Sequence, residues 1–120
     1  MRKFGIDPNR IGTVFISHLH GDHFGGLPFL ILDAQFHIRR TTPFTLIGPP
    51  RFRDRLWQVM ELVFAGSSKI RRKFTTEIFE ITPGETAVIN GITVTVYLVE
   101  GSAAAAGALP PIATAPTNRL

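Results

Sequence analysis

Apolar residues in this chain come in short runs parted by turn-forming clusters. Within the runs, the spacing switches between the two-residue period of a strand and the roughly 3.6-residue period of a helix. The run TVFIS (13–17), reached through the turn-rich DPNRIG, is β-branched and aromatic and predicts a buried strand. In GGLPFLILDAQFHIRR (25–40) Pro28 suits a first helical turn, and Arg39 and Arg40 stand where cations complement a helix dipole. Leu27, Leu30, Ile31, Ala34 and Ile38 form a stripe while Phe29, Leu32 and Phe36 point elsewhere, so this helix is expected between layers.

FTLIG (44–48) predicts a second strand, closed by Pro49 and Pro50. In RFRDRLWQVMELVF the residues Phe52, Leu56, Val59, Met60 and Val63 recur at helical spacing, and Trp57 and Met60 read as core. A polar, basic connector GSSKIRRK (66–73) follows, and then the strand signal returns in EIFEI (77–81), TAVIN (86–90) and GITVTVYLV. Asn90 and Gly91 both tolerate positive φ, which predicts a tight hairpin, and Ile92, Val94, Val96 and Leu98 should share one face of its second strand. From Gly101 the alternation stops. GSAAAAGALPPIATAPTNRL predicts a low-complexity, disordered tail over 101–120, with a short Ala-rich helix near 102–109 as the alternative. The pattern as a whole predicts a mixed α/β (α+β) domain over 1–100.

At 120 residues the chain has the length of one domain, and its 44% hydrophobic share is that of a globular protein. The absence of cysteine excludes disulfides and thiolate metal sites, so any metal must be held by imidazole and carboxylate. The basic start MRKFGIDPNR is not followed by an apolar targeting core, and the expectation is a soluble, cytoplasmic protein. A net charge of +4 tolerates an anionic partner such as nucleic acid or a phosphate ester without requiring one.

Candidate chemistry concentrates in SHLHGDH (17–23), which holds three of the four histidines. His18 and His20, two apart on extended backbone, can face one side. Asp22 and His23 follow a glycine that lets the chain bend, and they can be aimed at a neighbouring point. His18, His20, Asp22 and His23 therefore form a candidate zinc shell whose spacing suits two adjacent ions. Two ions about 3.5–4 Å apart would activate a bridging hydroxide for hydrolysis. Solvated loop histidines, or a closed structural zinc site, are the alternatives. Gly25 and Gly26 would let the backbone pass close to the metals, and His37, well along the following helix, reads as a surface histidine.

TVFISHLHGDHFGGLPFLI resembles the HxHxDH signature of the metallo-β-lactamase superfamily, and TLIGPPRFRDRL is similar to its ribonuclease Z-like branch. The resemblance, over residues 1 to about 99, implies an αββα sandwich with a dinuclear zinc centre. It puts His18 and His20 on the first metal and Asp22 and His23 on the second, with hydrolysis of a phosphodiester or of RNA and Asp22 holding or accepting the proton. Strands that precede this segment in the family have no counterpart here, and neither do the later histidine, bridging aspartate and further histidine. The expectation is a truncated member with an incomplete site, holding two ions only if completed and one or none as it stands. The rival reading is a non-catalytic fragment that binds metal weakly or associates with another chain through sheet edges.

Two basic clusters remain. Arg51, Arg53 and Arg55 open the second helix, where the dipole disfavours cations, so either an anion sits there or the arginines are solvated. IRRK (70–73) reads as a solvated loop, or as a nucleic-acid contact by charge alone.

Overall fold

The computed structural model describes residues 2–98. The low-complexity tail read at 101–120, like Glu100, lies outside the described residues. The expected mixed α/β architecture is present. Strands β1 (Thr13–Phe15), β2 (Phe44–Gly48) and β3 (Thr76–Glu80) form a parallel sheet in the order β1-β2-β3. Thr13 pairs with Thr45, and Phe44 with Thr76.

The crossovers are helices, as parallel pairing requires. Helix α1 (Gly21–Phe24) is one turn, α2 (Leu27–Phe36) returns the chain to β2, and α3 (Phe52–Val63) leads back to β3. Because α2 packs against α3, both cover one face of the sheet. Strands β4 (Thr86–Ile89) and β5 (Ile92–Thr95) form an antiparallel hairpin apart from that sheet. Its turn is as predicted, with φ of 52° at Asn90 and 77° at Gly91.

FTLIG, apolar but for Thr45, is buried at every position because β2 is the central strand. Phe44 and Leu46 join Leu27, Ile31, Phe52, Leu56 and Met60 in the main core. Ile47 joins Ile81 and Ile89 in a second cluster, packed by Ala87, Val94 and Val96 from the hairpin. Asn90 Nδ2 donates to Thr45 Oγ1 at 2.9 Å, fixing the hairpin turn on β2. The order of layers is helices, sheet, hairpin. At the end of β2, a Cβ on Gly48 would stand 2.5 Å from Phe52 Cδ1, so glycine is what lets α3 begin so close to the strand.

Several expectations are corrected. β1 is an edge strand and not a buried one, and Phe15 is 49% exposed; the strand also ends two residues early, although Ile16 N–H still donates to Ile47 O. The first long helix stops at Phe36, because Arg39 turns left-handed at φ 55°. Arg40 then folds inward instead of serving the helix dipole. It is 4% exposed, and its guanidinium donates to the carbonyls of Ile11 (2.9 Å), Thr42 (2.9 Å) and Pro43 (2.7 Å). Burial lowers its pKa. Nor is α2 enclosed between layers, since Phe29 and Phe36 on its outer flank are each 55% exposed. In β5 and beyond, only Val94 and Val96 of the predicted face pack inward, while Ile92 and Leu98 are exposed.

The basic ends of α3 are occupied by the chain itself. Arg51 holds φ 71° at the N-cap, and the Glu80 carboxylate takes the N–H groups of Arg51 (3.0 Å) and Arg53 (2.8 Å), so the anion at this terminus is a side chain of β3. Arg53 Nη2 donates to Ile78 O at 2.8 Å. Downstream, Glu61 accepts from Gly66 N–H, Ser68 N–H and Ser68 Oγ, closing the turn that opens the basic connector.

Candidate metal centre

Beyond Phe15 the chain leaves the carboxyl end of β1, the edge of a parallel sheet where ligands are usually met. His20 has extended backbone (φ −78°, ψ 146°) and acts as N-cap of α1. His23 N–H and Phe24 N–H both donate to His20 O, at 3.0 and 3.2 Å, which winds Gly21–Phe24 into a helical turn where the sequence suggested a simple bend. Phe24 anchors that turn in the main core. Gly25 closes it, and a Cβ there would collide with the Gly21 carbonyl oxygen, so this glycine serves the tight turn and not the passage of backbone past a metal.

The turn brings the three imidazoles together. The ring centroids of His18 and His23 lie 3.8 Å apart, and those of His18 and His20 4.8 Å apart with planes at 82°. His23 Nε2 is 3.5 Å from Asp22 Oδ2, and the Asp22 side chain is 78% exposed. His18 Nδ1 lies 3.0 Å from Ser17 Oγ, a contact the sequence reading did not anticipate. In the tautomer where Nδ1 donates to that hydroxyl, Nε2 carries the lone pair. His37 is elsewhere, exposed and paired with Asp33 at 3.3 Å, as expected.

Nitrogen and carboxylate donors without thiolate suit zinc, and so does their gathering on one loop. Their aim is another matter. Among the described residues, no three His, Asp or Glu side chains are set around one point that would hold a metal ion. Asp22 and His23 lie side by side on the turn, both exposed to solvent rather than enclosed around a shared point.

The sequence model of the anti-Pycsar protein Apyc1 family matches residues 1–101. The chain belongs to the anti-Pycsar protein Apyc1 family. This Apyc1-family chain is also similar to ribonuclease Z of Macrococcus caseolyticus (strain JCSC5402), 36% identical over 91 residues that cover 76% of this chain and 28% of that protein. Zinc phosphodiesterase ELAC protein 1 of Mus musculus is 38% identical over 65 residues, 52% of this chain and 18% of that one. The crystal structure of the short form of human tRNase Z (ELAC1) aligns with a TM-score of 0.50 at 35% identity, over 65% of this chain and 28% of the other. The Apyc1-family chain thus spans less than a third of the length of these relatives. The ribonuclease Z-like resemblance read from its motifs holds over part of the chain, while the family whose model spans residues 1–101 is the anti-Pycsar one.

Proposed function

We propose that this chain carries the first metal-binding loop of a zinc-dependent phosphodiesterase of ribonuclease Z-like type, acting in the cytoplasm on a phosphodiester or RNA. The observation that supports this most is the packing of His18, His20 and His23 against one another on a single loop at the carboxyl end of β1. Zinc and phosphodiester chemistry are named for the ELAC protein 1 relative, and the loop here offers the donors such chemistry uses.

His18 and His20 would hold a first ion, and Asp22 and His23 a second where further ligands complete the site. Bound zinc supplies an acidified water and a Lewis acid for phosphoryl oxygens. Ser17 orients the His18 ring through Nδ1. Asp22 Oδ2, exposed and beside His23 Nε2, is the carboxylate placed to accept a proton.

Metal analysis after zinc loading and desalting tests this reading together with turnover of an activated phosphodiester. At least one zinc per chain, lost in His20→Ala along with any turnover, is the expected result. A chain that retains no zinc, or one whose zinc content survives His20→Ala, rules the loop out as the metal site.

A further inference from the structure

On the opposite edge of the sheet from the histidine loop, an open cleft of about 730 Å³ runs along the segment that leads into β3 and along β3 itself. Five cationic side chains line it, Arg53, Lys69, Arg71, Arg72 and Lys73, against one carboxylate, Glu77. We infer that this cleft is a second site, one that binds the phosphate backbone of a single-stranded nucleic acid independently of the metal loop.

The basic connector is held in place by the rest of the fold. Gln35 of α2 clasps it with both ends of its amide, Nε2 donating to Arg71 O (3.4 Å) and Oε1 accepting from Lys73 N–H (3.1 Å). Between these two residues, Arg72 turns inward. Its guanidinium lies over the Trp57 ring, 5.2 Å from the centroid, and donates to Ser67 O at 3.0 Å. Its neighbours on either side, Arg71 and Lys73, are both exposed. Their charges are thus presented from a backbone that is already ordered, which lowers the entropic cost of meeting a ligand.

The wall of the cleft has donors that the chain does not use. Arg72 Nε and Thr76 Oγ1, both buried, have no hydrogen-bond partner among the described residues. Arg53 spends one donor on Ile78 O, and a guanidinium has five. Five cations against one carboxylate favour a polyanionic phosphate chain over a neutral or cationic peptide. Its spaced, repeating charge matches an elongated cleft along a strand better than a compact anion would. Since β1 and β3 are separated by β2, the cleft stands about two strand spacings, ~10 Å, from the edge that bears His18. The cleft and the histidine loop thus lie on different edges of the sheet.

The test is binding of a fluorescent 20-nucleotide poly(U) RNA by anisotropy, with chelator present throughout, so that a failure of the zinc reading leaves this measurement untouched. Affinity should fall with rising salt, and the double variant Arg71→Ala/Lys73→Ala should bind about tenfold or more weakly, with the log–log salt slope reduced by about 0.7 per charge removed. His20→Ala should bind as the unaltered chain does. Both positions are exposed, and an unchanged circular dichroism melt certifies the fold of the variant; Lys69→Ala serves as an independent second probe. Three outcomes overturn the inference: no RNA binding at low salt, equal binding by the double variant, or equal, equally salt-dependent binding of a poly-Glu peptide.

Discussion

The carboxylate of Glu80, the last residue of β3, accepts the backbone N–H of Arg53 at 2.8 Å, and so a strand end caps the helix that precedes it by a whole crossover. The same carboxylate takes the N–H of Arg51, which stands in left-handed backbone and has no side-chain cap of its own. Glu80→Ala should destabilise the fold by about 1–2 kcal/mol, the range for losing a helix cap. Urea denaturation midpoints at neutral pH measure it, and a midpoint equal to that of the unaltered chain would contradict the capping role.

Arg40 joins residues 8–11 to residues 42–43 by donating to their carbonyls, with its guanidinium also lying over the Phe44 ring, 5.0 Å from the centroid. Arg40→Met removes every one of those donors, several of them charge-assisted, an expected loss of about 3 kcal/mol. Arg40→Lys should recover little, because one ammonium cannot span the fork that reaches Ile11 and Pro43 together. Thermal melts of the two variants should therefore lie close to each other and well below the unaltered chain.

Glu61 has a carboxyl pKa lowered from the ordinary 4.5, chiefly by the hydroxyl of Ser68, then by the N–H groups of Gly66 and Ser68, with Lys69 adding a little. A group whose pKa is depressed by folding stabilises the fold above its unfolded value and loses that contribution as pH falls through the folded value. The stability gap between the unaltered chain and Glu61→Gln should thus be open at pH above about 5 and close as pH drops below about 4. Urea midpoints of both proteins across that range measure it; a gap that widens with acid would show the sign to be reversed.

Ser17 should matter to metal and not to folding. Its hydroxyl is exposed and touches only His18 Nδ1 among the contacts described, so Ser17→Ala should leave the melting temperature in place while weakening zinc binding about tenfold. Competition against a chromogenic chelator reads the affinity directly. Equal affinity in both proteins would leave the His18 ring oriented by something else.

The sequence was most informative wherever a local period had a single physical cause. FTLIG is apolar but for Thr45 because both faces of β2 are covered, and Asn90-Gly91 forms its turn because both φ values must be positive. It was least informative where a polar side chain finds its partner across the fold. Arg40 looked like a helix-end cation and is a buried tie, while Glu80, one residue of the predicted strand EIFEI, caps a helix. The same division runs through the site. Spacing suggested one shell of His18, His20, Asp22 and His23, with His18 paired to His20 and Asp22 to His23; the ring contact between His18 and His23 depends on a helical turn at Gly21–Phe24 held by two bonds to His20 O, and donor spacing does not encode that turn.

Parallel pairing also sets an order of events for a chain refolding from full length. Thr13 must wait for Thr45, and Phe44 for Thr76, whereas Ile89 meets Ile92 across a two-residue turn. The hairpin can therefore close within microseconds of dilution from denaturant, while the sheet it will cover closes only after slower, long-range searches. Until then Ile89 and Val94 lack the face of the sheet on which they come to rest.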